Sequence, residues 1–336
     1  MTSLRESGLK IPRIVPQTAT LGSQMLEVLA VTLPVFALVL CGFIAAGRNM
    51  LPVGAVDGLN AFVYWFALPA MLFRVAGLRP ISELFDPGLA AGISIAGLAC
   101  FALAYRLARS GGLGGGPRSV RAAAALSLAA AHGNVGYLGI ALLGQLGERF
   151  LPTVTLAIIV DNVVLIALTL VILESQPGVN RARGAANALR SVVLSPLLGS
   201  ILAGIAWSLT GFAMPQVFDS FTRMLSGAAG PCALFAIGAA LGGRRLTLDR
   251  ESGTLMAIKL LVGPAVAAVL LFGILPMDPA LAAAGVVCAS LPAASNSFII
   301  AQRYGIPTAS ISAALLGGTA IAVFTVSFAI WATGLR

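Results

Sequence analysis

Hydrophobic residues follow one another along this chain in long unbroken stretches, separated by short polar connections. Each stretch is about as long as the ~20 residues that an α-helix needs to cross a bilayer. None shows the polar–apolar alternation of barrel strands. Since membrane-spanning backbone must satisfy its own hydrogen bonds, the pattern predicts an all-α membrane protein with ten transmembrane helices. The predicted spans are residues 26–46, 56–78, 88–108, 120–146, 152–173, 191–211, 217–242, 252–274, 279–302 and 308–333.

The remaining segments are short. Residues 1–25 are expected to form a polar tail without a signal-peptide pattern. Met25 opens directly into the first span and is an alternative start. Residues 26–174 and 191–334 are predicted to form two five-helix units, with residues 175–190 as a cytoplasmic linker. No soluble domain is expected between the spans.

Composition agrees with burial in lipid. Hydrophobic residues make up 58% of the chain and charged residues 10%, whereas soluble domains contain about 25% charged residues. The net charge of +9 is carried mostly by arginines between the spans, so nucleic acid is not an expected partner. The connections after the odd-numbered spans hold twelve Lys and Arg residues and the opposite side holds six. This bias places the odd-numbered connections in the cytoplasm and both termini outside it.

The two halves of the chain resemble each other at a constant separation of 162 residues. Because each half has an odd number of spans, the second half must enter the membrane from the opposite side. The halves are then expected to be inverted repeats, as in many secondary transporters, whose substrate sites lie near the bilayer midplane on interrupted helices. The matched positions include Pro34 with Pro196, Gly42 with Gly204, Asp57 with Asp219, Pro69 with Pro231, and Asn134 with Asn296.

Spans 4 and 9 contain helix-breaking residues at equivalent places. Glycines weaken the helix in span 4, and a proline removes a backbone donor in span 9. An unwound stretch leaves half-helix ends inside the protein, where N-termini attract anions and exposed carbonyls attract cations. The alternative is that these residues form ordinary kinks that only shape helix packing. The candidate substrate-binding residues are Gly133, Asn134, Gly136, Pro292, Ser295, Asn296 and Ser297.

Four polar residues within the spans are candidates for ion coupling or charge balance. An unpaired acid such as Asp161, which Asn162 follows, costs about 2.5–3.5 kcal/mol to insert, so it should be paired, protonated or in contact with water. His132 precedes the span 4 break, and histidine can exchange protons near neutral pH. Lys259 could balance an anionic substrate or Asp161. The structural alternatives are hydrogen bonds between helices for the acid and the histidine, and snorkelling toward the interface for the lysine.

These motifs resemble those of the auxin efflux carrier family over residues 26–334. The resemblance implies ten spans in a fold like that of the bile-acid symporters, with spans 4 and 9 crossing near the substrate. It also implies a small organic anion as substrate and a homodimer as a candidate assembly. Several members carry proline near the span 4 break, where this chain has Ile140, so the first crossing could be looser here. The matching segments are Leu33 to Phe36 with Gly42, Phe66 to Phe73, Gly133 to Gly139, Lys259 with Pro264, and Leu291 to Phe298 with Tyr304 and Gly305.

The expected function is transport rather than catalysis. A secondary active or potential-driven carrier would move a small organic anion, such as a carboxylate, across a bacterial-type inner membrane by alternating access around the crossing of helices 4 and 9. A sodium-coupled organic-anion symporter is the alternative, with proton and sodium both candidates for the coupling ion. A membrane sensor or an intramembrane enzyme is a remote alternative, because the chain has a single histidine and no metalloprotease or nucleotide-binding motif. No cofactor and no metal site are expected.

Overall fold

The computed structural model describes residues 21–174, 190, 194–242 and 248–335, with the side chains of the first helix described from residue 33 onward. Within these ranges the chain is helical and has no β-strand beyond one isolated bridge. The predicted tail up to residue 20 lies outside the described residues, as does the predicted linker except for Arg190. The first helix begins at Leu21, five residues before the predicted span.

Helices lie in all of the predicted apolar runs. The fourth run is divided into α4 and α5, and the ninth into α10 and α11. In the part of the chain that the structure describes, six helical segments could cross a membrane by length and composition: α2, α3 with the turn Ile81–Leu84 before it, α6, α8, α9 and α12. The helices are α1 (Leu21–Gly47), α2 (Ala55–Gly77), α3 (Pro87–Ser110), α4 (Val120–Ala131), α5 (Val135–Leu146), α6 (Glu148–Glu174), α7 (Pro196–Thr210), α8 (Gln216–Gly242), α9 (Arg250–Ile274), α10 (Pro279–Ser290), α11 (Asn296–Arg303) and α12 (Ala309–Thr333).

Polar side chains fix where several helices begin. Asp86, Ser119 and Ser195 each accept a hydrogen bond from the backbone N–H three residues later, at 2.7, 3.2 and 3.2 Å. Such caps satisfy N–H groups that have no partner inside the helix. Pro87 and Pro196 follow two of these caps, at the first helical position, where a missing N–H costs nothing.

Glycines allow two helix pairs to approach closely. α1 packs along α8, where a Cβ atom at Gly42 would overlap the carbonyl oxygen of Phe235. α7 packs along α2, where a Cβ atom at Gly204 would lie 2.6 Å from the carbonyl oxygen of Phe73. Small residues at such contacts are typical of membrane helices, which associate through close van der Waals packing because lipid is as apolar as their side chains.

Charged side chains connect helix ends on both sides of the bundle. Arg74 near the end of α2 donates to Asp219 Oδ1 at 2.6 Å and to the hydroxyl of Thr222 at 3.0 Å, both in the first two turns of α8. On the other side, the Arg118 guanidinium donates to both carboxylate oxygens of Glu251, at 2.8 and 3.0 Å. The second pair joins the connection between α3 and α4 to the start of α9.

Arg118→Ala is expected to lower the free energy of unfolding by about 1–3 kcal/mol, because it leaves the carboxylate of a buried Glu251 without its bidentate partner. The Glu251 side chain is 7% exposed, whereas that of Arg118 is 34% exposed, so solvent screening keeps the loss below that of a fully buried pair. Thermal unfolding of the detergent-purified protein measures the effect. Arg48→Ala, at an exposed position just after α1, is the control, and equal midpoints for the two variants would contradict the prediction.

Candidate functional site

The fourth and ninth runs are interrupted by extended backbone. Three residues separate α4 from α5, and five separate α10 from α11. Leu291 has φ −63° and ψ 145°, as expected for a residue whose helical conformation is disfavoured by the proline that follows it. His132 is also extended, with φ −75° and ψ 116°. Each run therefore consists of two half-helices with a stretch of extended backbone between them.

The two extended stretches pair with each other in an antiparallel bridge between Gly133 and Ala293. The N–H of Asn134 donates to the carbonyl of Pro292 at 2.7 Å. The N–H of Ala294 donates to the carbonyl of His132 at 3.1 Å. Backbone groups freed by the helix breaks are thus satisfied across the pairing, which is how irregular backbone is tolerated at membrane depth.

The N-terminal ends of α5 and α11 follow directly from this pairing. The carbonyl of Asn134 accepts from the N–H groups of Leu138 and Gly139, at 3.0 and 3.1 Å, and closes the first turn of α5. Ser295 precedes α11, and its side chain forms no capping hydrogen bond. The first N–H groups of a helix lack internal partners and carry a partial positive charge. Two such helix ends next to each other favour the binding of an anion between them.

A small chamber of about 30 Å³ lies beside the pairing. Space of this size accommodates one water molecule or a group of similar size. Amide and phenol side chains supply most of its hydrogen-bonding capacity, so its polar lining is mainly uncharged. The polar side chains around it are Tyr64, His132, Asn134, Tyr137, Asp161, Asn162, Ser295 and Asn296.

Two larger cavities extend from this region toward one side of the bundle. The first has a volume of about 540 Å³ and reaches Asp57, Glu174 and Arg303. The second has a volume of about 430 Å³ and lies between α2, α5, α8, α11 and α12. Both are lined by Ser295 and Asp57. Asp57, Glu174 and Arg303 belong to helix ends next to the connections after spans 1, 5 and 9, so both cavities extend toward that side.

Asp161 lies behind the pairing and contacts two of its residues. Its Oδ2 atom accepts the N–H of Gly133 at 3.2 Å and lies 3.1 Å from Nδ1 of His132. The geometry of the second contact is not that of a hydrogen bond. It is a close polar contact that becomes an ion pair when the imidazole is protonated. Both side chains are buried, at 5% exposure for His132 and 8% for Asp161.

Lys259 reaches the same region from α9. Its Nζ atom donates to the carbonyl of Ala289 at 2.7 Å. A Cβ atom built on Gly133 would lie 3.4 Å from the same Nζ atom. Lys259 and Asp161 both line a second small cavity of about 30 Å³. A buried lysine and a buried aspartate therefore flank the backbone of the span 4 break from behind.

Eight of the eleven predicted site residues line the small chamber, and three do not. Pro292 contributes its carbonyl to the pairing. The hydroxyl of Ser297 is buried and donates to the carbonyl of Ala294 at 2.7 Å. Lys259 lines the cavity behind the break. The sequence interpretation missed Tyr64 and Tyr137, although mid-span tyrosines in a chain with four tyrosines are a usable signal.

Several of these residues lie in π-helical turns. Tyr64 lies in Val63–Ala67, Tyr137 in Val135–Gly139, Asp161 in Asp161–Ile166 and Lys259 in Ile258–Val262. A π-turn widens the helix by one residue and rotates the side chains that follow, and such turns are frequent at functional sites. Three of these residues, Tyr64, Tyr137 and Asp161, line the small chamber, and Lys259 lines the cavity behind it.

Comparison with known proteins identifies relatives along nearly the whole chain. A family model described as "Membrane transport protein" matches residues 28–330. A protein of Rhizobium meliloti (strain 1021) described as "Putative malonate transporter" is 31% identical over 313 residues, which cover 90% of this chain and 95% of the relative.

Two further relatives are more distant or shorter in coverage. The "Uncharacterized transporter YfdV" of Escherichia coli (strain K12) is 25% identical over 319 residues, which cover 89% of this chain and 95% of the relative. The "Auxin efflux carrier component 3a" of Oryza sativa subsp. japonica is 30% identical over 141 residues, which cover 40% of this chain and 23% of the relative. These similarities confirm the family resemblance that the sequence motifs predict.

Proposed function

Because this chain belongs to the auxin efflux carrier family of membrane transport proteins, we propose that it moves a small organic carboxylate across the cell's inner membrane by alternating access. The observation that carries the proposal is the antiparallel pairing of the two broken segments, which brings the N-termini of α5 and α11 to one polar chamber. Half-helix N-termini facing a site near the bilayer midplane are a recurrent means of binding anions in secondary transporters.

The inverted-repeat arrangement of ten spans forms part of the proposal. It is supported by the two close helix contacts, which map onto each other at the same separation of 162 residues. Gly42 of the first half contacts Phe235 of the second, while Gly204 of the second half contacts Phe73 of the first. Adding 162 to 42 and 73 gives 204 and 235, so one contact becomes the other when the halves are exchanged.

A dicarboxylate such as malonate is the first substrate to test. The Rhizobium relative carries the description "Putative malonate transporter". The chamber also offers hydrogen-bond donors that suit a carboxylate. Asn134 and Asn296 both line it, and no hydrogen bond from either side-chain amide to another described residue is present. In this arrangement the substrate carboxylate accepts hydrogen bonds from these amides and from the N–H groups that begin α5 and α11.

The cavities indicate which side the site faces. They extend toward the odd-numbered connections, which the distribution of arginines assigns to the cytoplasm. The conformation is then inward-facing, with α2 and α8 joined on the opposite side by Arg74 and Asp219. Both termini outside the cytoplasm and a homodimeric assembly stay predictions.

The polar cluster of His132, Asp161 and Lys259, behind the pairing of the two extended stretches, favours a proton over sodium as the coupling ion. Asp161 and His132 lie in close contact and are buried, and histidine is the side chain type best suited to carry a proton in a transport cycle. The Nζ atom of Lys259 donates into the region that Asp161 lines, and a sodium ion there would have to displace this side chain. A sodium-coupled symporter is therefore the second candidate rather than the first.

Malonate uptake into proteoliposomes is expected to follow a pH gradient and not a sodium gradient. A difference of one pH unit supplies about 1.4 kcal/mol per proton, enough for about tenfold accumulation. Labelled malonate is followed at a clamped membrane potential, with protein-free liposomes as the control.

A response to sodium at fixed pH would favour the sodium-coupled alternative. If wild-type protein neither transports any short carboxylate nor shows a rise in melting temperature with one, the proposed function is wrong, since ligand at 100 times its Kd should stabilise the native state by about 2.7 kcal/mol.

A further inference from the structure

Arg303 is the only lysine or arginine among the described residues that line the two large cavities. It lies in the last turn of α11 and is exposed within the larger cavity. Its guanidinium forms no hydrogen bond or ion pair with any residue in the described ranges. A guanidinium presents a planar array of donors that matches a carboxylate in a bidentate arrangement. Among the residues that the structure describes, Arg303 is therefore a cation with no ion-pair partner, and it lies on the approach to the paired segments.

The helix connects Arg303 directly to the crossing. Asn296, Ile299, Ile300 and Arg303 all line the larger cavity, and their spacing of three, four and seven residues places them on one face of α11. Seven residues correspond to a rise of about 10 Å. Long helical side chains lean back toward the N-terminus, which shortens the gap between the guanidinium and the amide of Asn296. One face of a short helix thus presents an amide at the crossing and a cation two turns away.

The acids in this cavity leave Arg303 available. Glu174 accepts a hydrogen bond from the hydroxyl of Tyr304 at 2.8 Å, and Arg121 lies 5.6 Å from the centre of the Tyr304 ring. Glu174 therefore has a hydrogen-bond partner of its own, and Arg121 lies over the ring of that partner. Asp57 lies on α2 at the opposite wall and forms no ion pair with Arg303 within the described ranges. Asp57 and Glu174 line this cavity together with Arg303, but within the described ranges neither carboxylate is within ion-pair distance of the guanidinium, so its donors stay open to an entering anion.

We infer that Arg303 binds the second carboxylate of a short dicarboxylate whose first carboxylate is held at the crossing of α5 and α11. This inference rests on the proposed function, which requires only one carboxylate on the substrate. It adds the residue that selects dicarboxylates over monocarboxylates. Two carboxylates on a three- or four-carbon chain would engage Asn296 and Arg303 together, whereas a monocarboxylate would engage the crossing alone. Arg303 is in this sense a specificity-determining residue.

The test compares malonate with its monomethyl ester, which has nearly the same shape but one negative charge. Arg303→Gln is expected to weaken malonate binding and raise its KM about 10- to 100-fold, the loss expected for a hydrogen bond to a charged group. Binding of the monomethyl ester should stay as in the wild type. Arg303→Lys keeps the charge and loses the bidentate geometry, so it should restore part of the malonate affinity.

Arg106→Gln is the matched control, because Arg106 is exposed near the end of α3 and lines neither cavity. Since it removes one positive charge near the same side of the bundle, it corrects for general electrostatic attraction of anions. Unchanged malonate affinity in Arg303→Gln, or equal losses for malonate and its ester, would overturn the assignment. Failure of the wild type to bind malonate would also overturn the assignment, whereas failure to bind any short carboxylate would remove the proposed function, and the inference with it.

Discussion

Asn296→Ala is expected to reduce malonate uptake at least about tenfold while the protein stays folded. Asn296 lines both the small chamber and the larger cavity, and the absence of a protein partner for its amide among the described residues leaves the substrate to accept the hydrogen bond. Loss of a hydrogen bond to a charged group corresponds to about 1.5–3 kcal/mol, or roughly 10- to 100-fold. Asn134→Ala should have a similar effect, and the double variant should be indistinguishable from protein-free liposomes.

Ser297→Ala is the neighbouring control and should behave in the opposite way. Its hydroxyl is buried and donates to the backbone of Ala294, and Ser297 lines neither the small chamber nor the two larger cavities beside the paired segments. The substitution should lower the melting temperature slightly, since a buried hydrogen bond is lost at a net cost of about 1 kcal/mol, but uptake should persist. Wild-type uptake in purified Asn134→Ala and Asn296→Ala would refute the assignment of the crossing as the substrate site.

The positions of the helices and of their breaks could be predicted because they depend on local chemistry. Apolar runs of spanning length give helices, and Pro292 forces Leu291 out of the helical conformation. The capping residues Ser119 and Ser195 likewise act on their own helix. These features need no knowledge of neighbouring helices, so the sequence alone indicates them.

The rotation of each helix could not be predicted in the same way. Asn296 and Ser297 are adjacent polar residues at the start of α11, so the sequence does not show that Ser297 faces away from the chamber whereas Asn296 faces it. The π-turns change the rotation further, and no sequence signal considered above marks where they occur. Tyr64 therefore reaches the chamber without having been a candidate.

Polar partners that are distant in the sequence could not be predicted either. Lys259 donates to Ala289, thirty residues later in the chain, and Arg74 pairs with Asp219 across 145 residues. The sequence identifies Arg303 only as one of the cations that predict membrane orientation, because nothing local distinguishes it from other arginines at helix ends. Its spacing of seven residues from Asn296 is the one sequence feature that could have linked it to the crossing.

Gly238→Ala is expected to destabilise the protein strongly, because a Cβ atom there would overlap the carbonyl oxygen of Val39 on α1. Overpacking usually costs about 1–3 kcal/mol, and here the obstructing atom belongs to backbone that a rotamer change cannot move. The helices α1 and α8 would have to separate, so the melting temperature in detergent should fall or folded protein should be lost.

Gly227→Ala on the same helix is the matched control, since a Cβ atom there meets nothing within 4 Å. Replacing a helical glycine with alanine in open space should stabilise the helix by about 0.5–1 kcal/mol, so the two variants should shift the melting temperature in opposite directions. Gly204→Ala, at the contact between α7 and α2, should also be destabilising if the two halves pack alike. Melting temperatures that are equal for Gly238→Ala and Gly227→Ala would contradict the close contact between α1 and α8, and a neutral Gly204→Ala would count against the inverted repeat.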